Sequence, residues 1–583
     1  MNLRRIILFL AFITLITFHN CLLNDFIGDD RALFTDNLFY KDLKNLPRLF
    51  QKDFVMHPSR LDVTGPASFS GCISYRPVTA LTFFIDYALW GRIPFGHHLT
   101  NILLHFFAVI LVFYFVLRLT GKEGFSFLTA LLFAVHPVQS EVVNTIGYRS
   151  DVLLVLFYLL SLIAYYQYRS HEGRRWPLLL VSLCGYFLAL FSKETAVTLL
   201  VILVAMDQLL LPQSPGKFFK KSYLAFVGIT AFYLYVYFVA MPTVYYPKFP
   251  DLGYGPLAKL VLVLTIFAGY LKVLLLPFTV TILPPMYAPP IEPVNPMTLA
   301  FALWGIATLS FAAVYFYPRK KLVTFAVIWF VVTYLPVSYV VPLLNPYAFR
   351  FLYLPSVGFI ILLALLVQSA SVRLQRQSDA LQAGRVFQIA VVGLCMAATI
   401  ANNSFFKNDF VACHEMVRRY PESSRPYWVL GLRYYDAGNY PEAVKYLKKH
   451  LEAAINNPFI SREKTEFVTH HLIGRAYVYD TDQAIAHLQK AATLMPELAL
   501  PYLDLSRNYI VKKDYPLAIR YAEESLKRDK KLGIAYVYII HSNVELNRLD
   551  QARAVLIRAQ AIFPGDPNLK IVEDYLRQKE AGS

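Results

Sequence analysis

Up to residue 404 the chain alternates long apolar runs with short polar breaks; beyond it, apolar positions fall at helical spacing among charged ones. The first run, Ile6 to Leu23, follows Arg4-Arg5 and passes directly into Asn24-Asp25-Phe26 without a small-x-small cleavage site. It reads as an uncleaved first span with a cytoplasmic N-terminus rather than a signal peptide. Further runs at 97–118, 124–140, 151–168, 177–192, 195–212, 222–241, 257–281, 297–317, 322–343, 352–370 and 386–404 predict membrane-spanning helices. Several are short for a bilayer and require tilt or local thinning. Residues 24–96 separate the first run from the second and read as the first outer loop.

After Asn402 a repeat emerges. One copy runs Tyr427-Trp428-x-Leu430-Gly431-x-x-Tyr434, then Ala443 and Leu447; a second runs Leu472-Ile473-Gly474-x-x-Tyr477, then Ala484, Leu488, Ala491 and Pro496. A third carries Leu505, Tyr509 and Ala518, and a fourth Ala552, Leu556, Ala559 and Pro564. Ala484, Ala518 and Ala552 follow one another at 34-residue intervals, the tetratricopeptide period. The first copy carries an insertion near 452–463. Small residues at these places let two helices of a repeat approach closely, and stacked repeats form a superhelix with a concave binding face. The domains expected are a membrane domain over 1–404 and a repeat domain over 405–583 with three to four repeats.

Composition agrees with the pattern. Hydrophobic residues make up 56% and charged residues 16%, and the mean hydropathy is +0.44. These values exclude a soluble globular enzyme, a disordered chain and a fibre. A net charge of +17 in a membrane chain marks Lys and Arg in cytoplasmic loops, so no nucleic-acid partner is expected. The clusters are Arg118 with Lys122; Arg169, Arg174 and Arg175; Lys217, Lys220 and Lys221; Arg319, Lys320 and Lys321; and Arg373, Arg376 and Arg385. With these inside, the other face holds 24–96, 141–150, 192–194, 241–256 and 344–350. Parity then requires 257–281 to re-enter, or to form two short spans, giving about 11 full spans and a C-terminus on the side of the first loop. The five cysteines lack metal-ligand spacing, so neither a disulfide framework nor a zinc site is expected.

The candidate chemistry gathers on that outer face. Asp25, Asp29 and Asp30 follow the first span, and neighbouring side chains diverge on helix or strand, so at most one of the last two aims at a given atom. They are read either as a solvated loop entrance or as a general base at the membrane surface. Asp36, Asp42 and Asp53, interleaved with Lys41, Lys44, Arg48 and Lys52, read as an amphipathic surface helix without chemistry. Tyr75-Arg76-Pro77 and Asp86 precede the second run in a segment that docks on the membrane face. His136, Glu141, Arg149 and Asp151 lie within 16 residues, and ionisable groups at a bilayer edge need partners. They either pair with one another or line a polar pocket. Lys193-Glu194 is a further pair, and Arg350 a cation suited to a phosphate. Nucleotide-activated donors are made in the cytoplasm, so a transferase acting on the far side draws its group from a membrane lipid. Such a donor needs a cation for the leaving phosphate, a carboxylate for the acceptor hydroxyl and an apolar groove for the tail.

These residues resemble a known family. Asp29-Asp30, Tyr75-Arg76-Pro77, Gly96-x-His98-x-x-Asn101-x-x-x-His105, Phe133-Ala134-x-His136-Pro137-x-x-x-Glu141, Gly147-x-Arg149-x-Asp151, Lys193-Glu194-Thr195 and Arg350-x-Leu352-Tyr353-Leu354-Pro355-Ser356, followed by the repeats, are similar in order to the transmembrane and tetratricopeptide-repeat O-mannosyltransferases and their bacterial relatives. The resemblance implies an all-α chain: a polytopic GT-C-like membrane domain followed by a tetratricopeptide-repeat superhelix. It implies inverting transfer of a sugar, mannose, from a polyprenyl phosphate to a hydroxyl of protein Ser or Thr on the non-cytoplasmic side. Asp29 and Asp30 would carry the base; Glu141, His136, Arg149, Asp151, Lys193, Glu194, Arg350 and Arg76 would line the donor site. Phe349 departs from the family, whose members often place Glu before the late arginine. No metal ligands are assigned, a divalent metal is left open, and the donor lipid, membrane lipids and a protein or peptide acceptor in the repeat groove are the partners. The expected setting is a bacterial cytoplasmic membrane with site and repeats in the periplasm, or an endoplasmic-reticulum membrane with a lumenal site in a eukaryote. The alternatives are a non-enzymatic scaffold, for which so many spans are superfluous, and a lipid-linked sugar transporter or flippase, for which no internal repeat of spans is visible. Asp207 and Lys272 are the candidates for midplane charges in the latter.

Overall fold

The computed structural model describes residues 2–35, 39–50, 75–170, 176–211, 221–240, 255–276, 295–341, 343, 347–377, 382–454 and 462–582. These residues form helices and connecting turns, with no strand among them. Contacts divide the chain between Arg419 and Tyr420.

The first unit opens with α1 (Leu3–Phe18), the short α2 (Asp29–Phe34), α3 (Pro77–Trp90), α4 (Pro94–Thr120), α5 (Glu123–Val135), α6 (Ser140–Asn144), α7 (Arg149–Ser170) and α8 (Trp176–Ser192). It continues with α9 (Leu199–Leu209), α10 (Lys221–Tyr235), α11 (Pro256–Leu275), α12 (Pro296–Phe316), α13 (Lys321–Tyr334), α14 (Pro355–Gln377), α15 (Ala383–Asn403) and α16 (Asp409–Arg419). Among the described residues, eight helices are long and apolar enough to cross a membrane, or nine if the bent pair α5–α6 counts as one span. Their outward faces carry Leu8, Phe12, Phe311 and Ile389, all exposed, as a lipid-facing surface requires. The unit is a multi-pass membrane bundle.

Close helix contacts rest on small residues. On α8, Gly185 faces the backbone of Phe157 and Ser161, while Ser161 and Ser182 each donate to the other's carbonyl at 2.7 and 2.8 Å. On α14, a Cβ at Gly358 would lie 2.6 Å from the Ala326 carbonyl, so glycine lets α13 and α14 meet. Trp329 fills the space between, donating its Nε1 hydrogen to the Leu354 carbonyl.

Several sequence expectations change. The first outer loop is not loop throughout: it contains α2 and α3, the latter 14 residues long with Pro77 in its first turn. Of the surface helix expected around Asp42, the described part is instead two 3-10 segments, Phe39–Lys41 and Leu43–Phe50, the latter interrupted by Pro47; Asp36, Lys52 and Asp53 lie outside the described residues. The run 124–140 is bent by 50° at Pro137, which forces His136 into extended backbone. The expected re-entry shows no break within Pro256–Leu275, a continuous 20-residue helix. Its last turn meets the bend, where the Leu274 carbonyl accepts from His136 Nε2 at 3.2 Å; residues 277–294 lie outside the described residues. The composition change at 404/405 precedes the structural boundary by one helix, because Ala412 on α16 packs with Ile27 and Phe406.

The second unit is a row of helix pairs: α17 (Ser424–Asp436) with α18 (Tyr440–Ala454), α19 (Arg462–Ala476) with α20 (Thr481–Leu494), α21 (Leu500–Val511) with α22 (Tyr515–Arg528), and α23 (Gly533–Glu545) with α24 (Leu549–Ile562). A final helix, α25 (Pro567–Gly582), packs on the last pair through Leu569, Val572 and Leu576. Ala443, Ala484, Ala518 and Ala552 are all fully buried between paired helices. A Cβ at Gly431 or Gly474 would lie 2.6 or 2.7 Å from the side chain of Leu447 or Leu488, which explains glycine there. This is tetratricopeptide architecture.

Candidate active site

The polar residues between spans converge at one end of the bundle, around the turn Ile146–Tyr148 and the first residues of α7. α2 approaches this turn from one side. Asp30 is fully buried, its Oδ2 accepting from the Ile146 N–H at 2.9 Å and its Oδ1 from the Gly147 N–H at 2.7 Å. Burial pushes its carboxyl up to about 7, against the pull of those two N–H groups. Asp29, at the N-terminus of α2, is half-buried. Gly28 makes the bend that starts α2, with φ at 50°, and its N–H is tied to Asp409 at 2.8 Å.

The next residues of the same segment turn to other partners. The Tyr148 ring lies 4.1 Å beneath the Arg350 guanidinium. Arg350 Nη1 reaches Glu141 Oε1 at 2.9 Å, and the Arg350 backbone N–H reaches Oε2 at 2.9 Å. Ser150 accepts from Arg76 at 3.3 Å. Asp151 takes Lys193 at 2.5 Å. Glu194, beside that lysine, holds Arg76 in a fork of contacts at 2.7 to 3.1 Å. Burial works against the Glu194 charge, but Arg76 and then Lys193 hold its carboxyl at about 2. Burial likewise lowers Lys193, and Asp151 opposes it. The Phe351 ring stands 5.5 Å from Lys193 and 5.1 Å from Arg350, joining the two cations. Three cations, Arg76, Lys193 and Arg350, therefore sit in one network with three carboxylates. The Arg76–Glu194 pair is its open rim, with side chains 15% and 40% exposed.

None of the ionisable residues His136, Glu141, Arg149 and Asp151 pairs with another of the four; each has a partner on another element. His136 Nε2 donates to Leu274 while Nδ1 accepts from the Val138 N–H, which places this ring at the bend of α5–α6. Arg149 is fully buried and committed to Asp86 at 2.5 Å and Asn101 at 2.7 Å, so it braces α3, α4 and α7 and does not open to a donor. Asp86 also accepts from Thr100. Asp86, Asn101, Tyr148 and Phe351 were not among the expected site residues. The signal for Asp86 was a lone carboxylate in an apolar stretch, which demands a buried partner. His105, on the same helix as Asn101, receives the Tyr353 hydroxyl at 2.7 Å. Asn402, which opens the glycosylation sequon Asn402-Asn403-Ser404, is buried at 3% exposure. Asp207 lies away from this network, taking hydroxyls from Tyr165 and Tyr223 and the Arg169 Nε. No group of three or more His, Cys, Asp or Glu suited to a metal ion occurs among the described residues.

No family model matches the chain. Curated proteins do. The chain is 35% identical over 229 residues to mouse protein O-mannosyl-transferase TMTC4, a match spanning 35% of this chain and 29% of that protein. It is 34% identical over 191 residues to Drosophila protein O-mannosyl-transferase Tmtc1, covering 33% of this chain and 21% of that one. It is 38% identical over 137 residues to human protein O-mannosyl-transferase TMTC2, covering 23% and 16%. The chain thus spans less than a third of the length of each of these relatives. Solved structures matched include the Cut9–Hcn1 heterotetramer of APC/C, at 15% identity and a TM-score of 0.23 over 88% of this chain and 91% of that one, and yeast Tom70, at 11% and 0.20 over 82% and 96%. In the order of its motifs and in its sequence, the chain is similar to the transmembrane and tetratricopeptide-repeat O-mannosyltransferases.

Proposed function

We propose that the protein is a GT-C-type glycosyltransferase that moves mannose from a polyprenyl phosphate to a Ser or Thr hydroxyl of a polypeptide, on the non-cytoplasmic face of its membrane. The observation that carries the reading is the convergence on residues 146–151: Asp30 of the acidic pair on α2 binds Ile146 and Gly147, and Arg350, Arg76 and Lys193 contact Tyr148, Ser150 and Asp151. Asp29, the less buried of the pair, is the base. It takes the proton of the acceptor hydroxyl as that oxygen attacks the anomeric carbon. The bond from that carbon to the phosphate oxygen breaks, and its electron pair leaves with the polyprenyl phosphate. Arg350, Lys193 and Arg76 offset the charge on the departing phosphate. Attack opposite the leaving group inverts the anomeric centre.

The test is transfer of labelled mannose from polyprenyl-phosphate mannose to a Ser/Thr peptide by the purified protein in lipid-supplemented detergent. Wild type should label the hydroxyl, and Asp29→Asn should lower the rate by about a hundredfold or more. An Asp29→Asn protein that transfers at the wild-type rate would remove the assigned base, and a wild type inert towards every lipid-phosphate sugar would remove the activity.

A further inference from the structure

The first helices of four successive repeats carry a continuous polar and aromatic strip. The Arg475 guanidinium on α19 lies 5.6 Å over the Tyr435 ring on α17. Asp504 on α21 accepts from His471 Nε2 on α19 at 2.8 Å. Arg475 and Arg507 each stand 3.9 Å from the same Asp504 carboxylate, beyond hydrogen-bond reach. Tyr538 on α23 lies within electrostatic reach of Asp504 and Arg507. The carboxylate's short contact is thus with the histidine, which leaves two guanidiniums, 43% and 42% exposed, oriented by one carboxylate but not bonded to it. Two planar cations against one anion give the strip a surplus of positive charge, and tyrosines bound it at both ends.

We propose that this strip docks an extended polypeptide segment bearing Asp or Glu side chains, and that the segment belongs to the acceptor; the second half rests on the transfer reading above. Carboxylates of such a segment meet Arg475 and Arg507 through forked hydrogen bonds. Its backbone and apolar atoms pack on Tyr435 and Tyr538. Asp504 orients the arginines but competes with the ligand, which gives it an effect opposite in sign to theirs.

The experiment is fluorescence anisotropy on the full-length protein in detergent, with a labelled peptide of alternating Glu and Thr as probe and Gln-Thr and Lys-Thr peptides as controls. The Glu-Thr peptide should bind, more weakly as salt rises, and the Gln-Thr peptide should bind about tenfold more weakly. Joint Arg475→Gln and Arg507→Gln should remove that preference. Asp504→Asn should tighten Glu-Thr binding, which a merely structural aspartate would not do. Equal binding of the Glu and Gln peptides overturns the proposal, as does weaker Glu-Thr binding by Asp504→Asn; both readings stand even if the double arginine variant fails to fold. Asp29→Asn should bind the probe like wild type, so failure of the docking strip and failure of the transfer reading are separately visible.

Discussion

Asp29 and Asp30 begin the same short helix and differ in what they touch. Asp30 spends both oxygens on the N–H groups of Ile146 and Gly147, while Asp29 stays nearer the surface. An asparagine at 30 has one accepting oxygen, and its amide hydrogens would face one of those N–H groups. Asp30→Asn should therefore lower thermal stability, by on the order of 1–3 kcal/mol, and lose transfer along with it. Asp29→Asn should lose transfer with its melting curve unchanged. Paired thermal melts and transfer rates separate the two, and an Asp30→Asn variant as stable and active as wild type would contradict the geometry. The acidic doublet itself was visible in the sequence, as was the divergence of neighbouring side chains. The division of labour was not, because the groups that claim Asp30 are backbone amides 116 and 117 residues away.

At the scale of elements, the turn Ile146–Tyr148 and the start of α7 act as a hub: five consecutive residues, Gly147 to Asp151, each contact a different partner, namely Asp30, Arg350, Asp86, Arg76 and Lys193. Tyr148 feeds the second buried pair, Glu141 with Arg350, whose side chains are 1% and 8% exposed. Removing one member of such a pair strands the other charge away from water. Glu141→Gln should cost about 3–5 kcal/mol, and Glu141→Gln with Arg350→Gln less than the sum of the single changes. Denaturation of the four proteins of that cycle measures the coupling; strict additivity would show that the pair does not hold the site. Spans were legible because a bilayer demands long apolar runs, and the starts of α4, α7 and α8 fall within a few residues of expectation. The helix α3 was not, because Arg76 and Asp86 make its surroundings look like loop, and their partners Glu194 and Arg149 lie on other elements. The bend at Pro137 was legible in principle, since proline disfavours helical backbone in the residue before it.

Across the whole molecule, the two units meet different solvents, and their stabilities should respond differently to acid. The repeats were the most legible part of the chain, because their period fixes which small residues lie between helices; what periodicity could not reveal is how their histidines are held. His450 on α18 is 1% exposed, donates from Nδ1 to the Ser424 carbonyl at 2.9 Å, and packs 5.3 Å from the Trp428 ring. Burial pulls its pKa down to about 4, and burial does the same for His470. A histidine whose folded pKa is depressed binds its proton more readily when unfolded. Its contribution to stability is complete above the unfolded value of 6.5 and drains away as the pH falls towards 4. For His450 alone the loss should be on the order of 3 kcal/mol across that window. Trp428 is the sole tryptophan after residue 404. Phenylalanine at the other tryptophan positions would make its emission a reporter of this unit within the full-length protein. Its denaturation midpoint should hold steady from pH 8 to 7 and fall between 6.5 and 4, and His450→Gln should flatten part of the fall. A midpoint that stays level to pH 4, or falls equally with and without His450, would mean that this buried ring does not couple the repeats to acid.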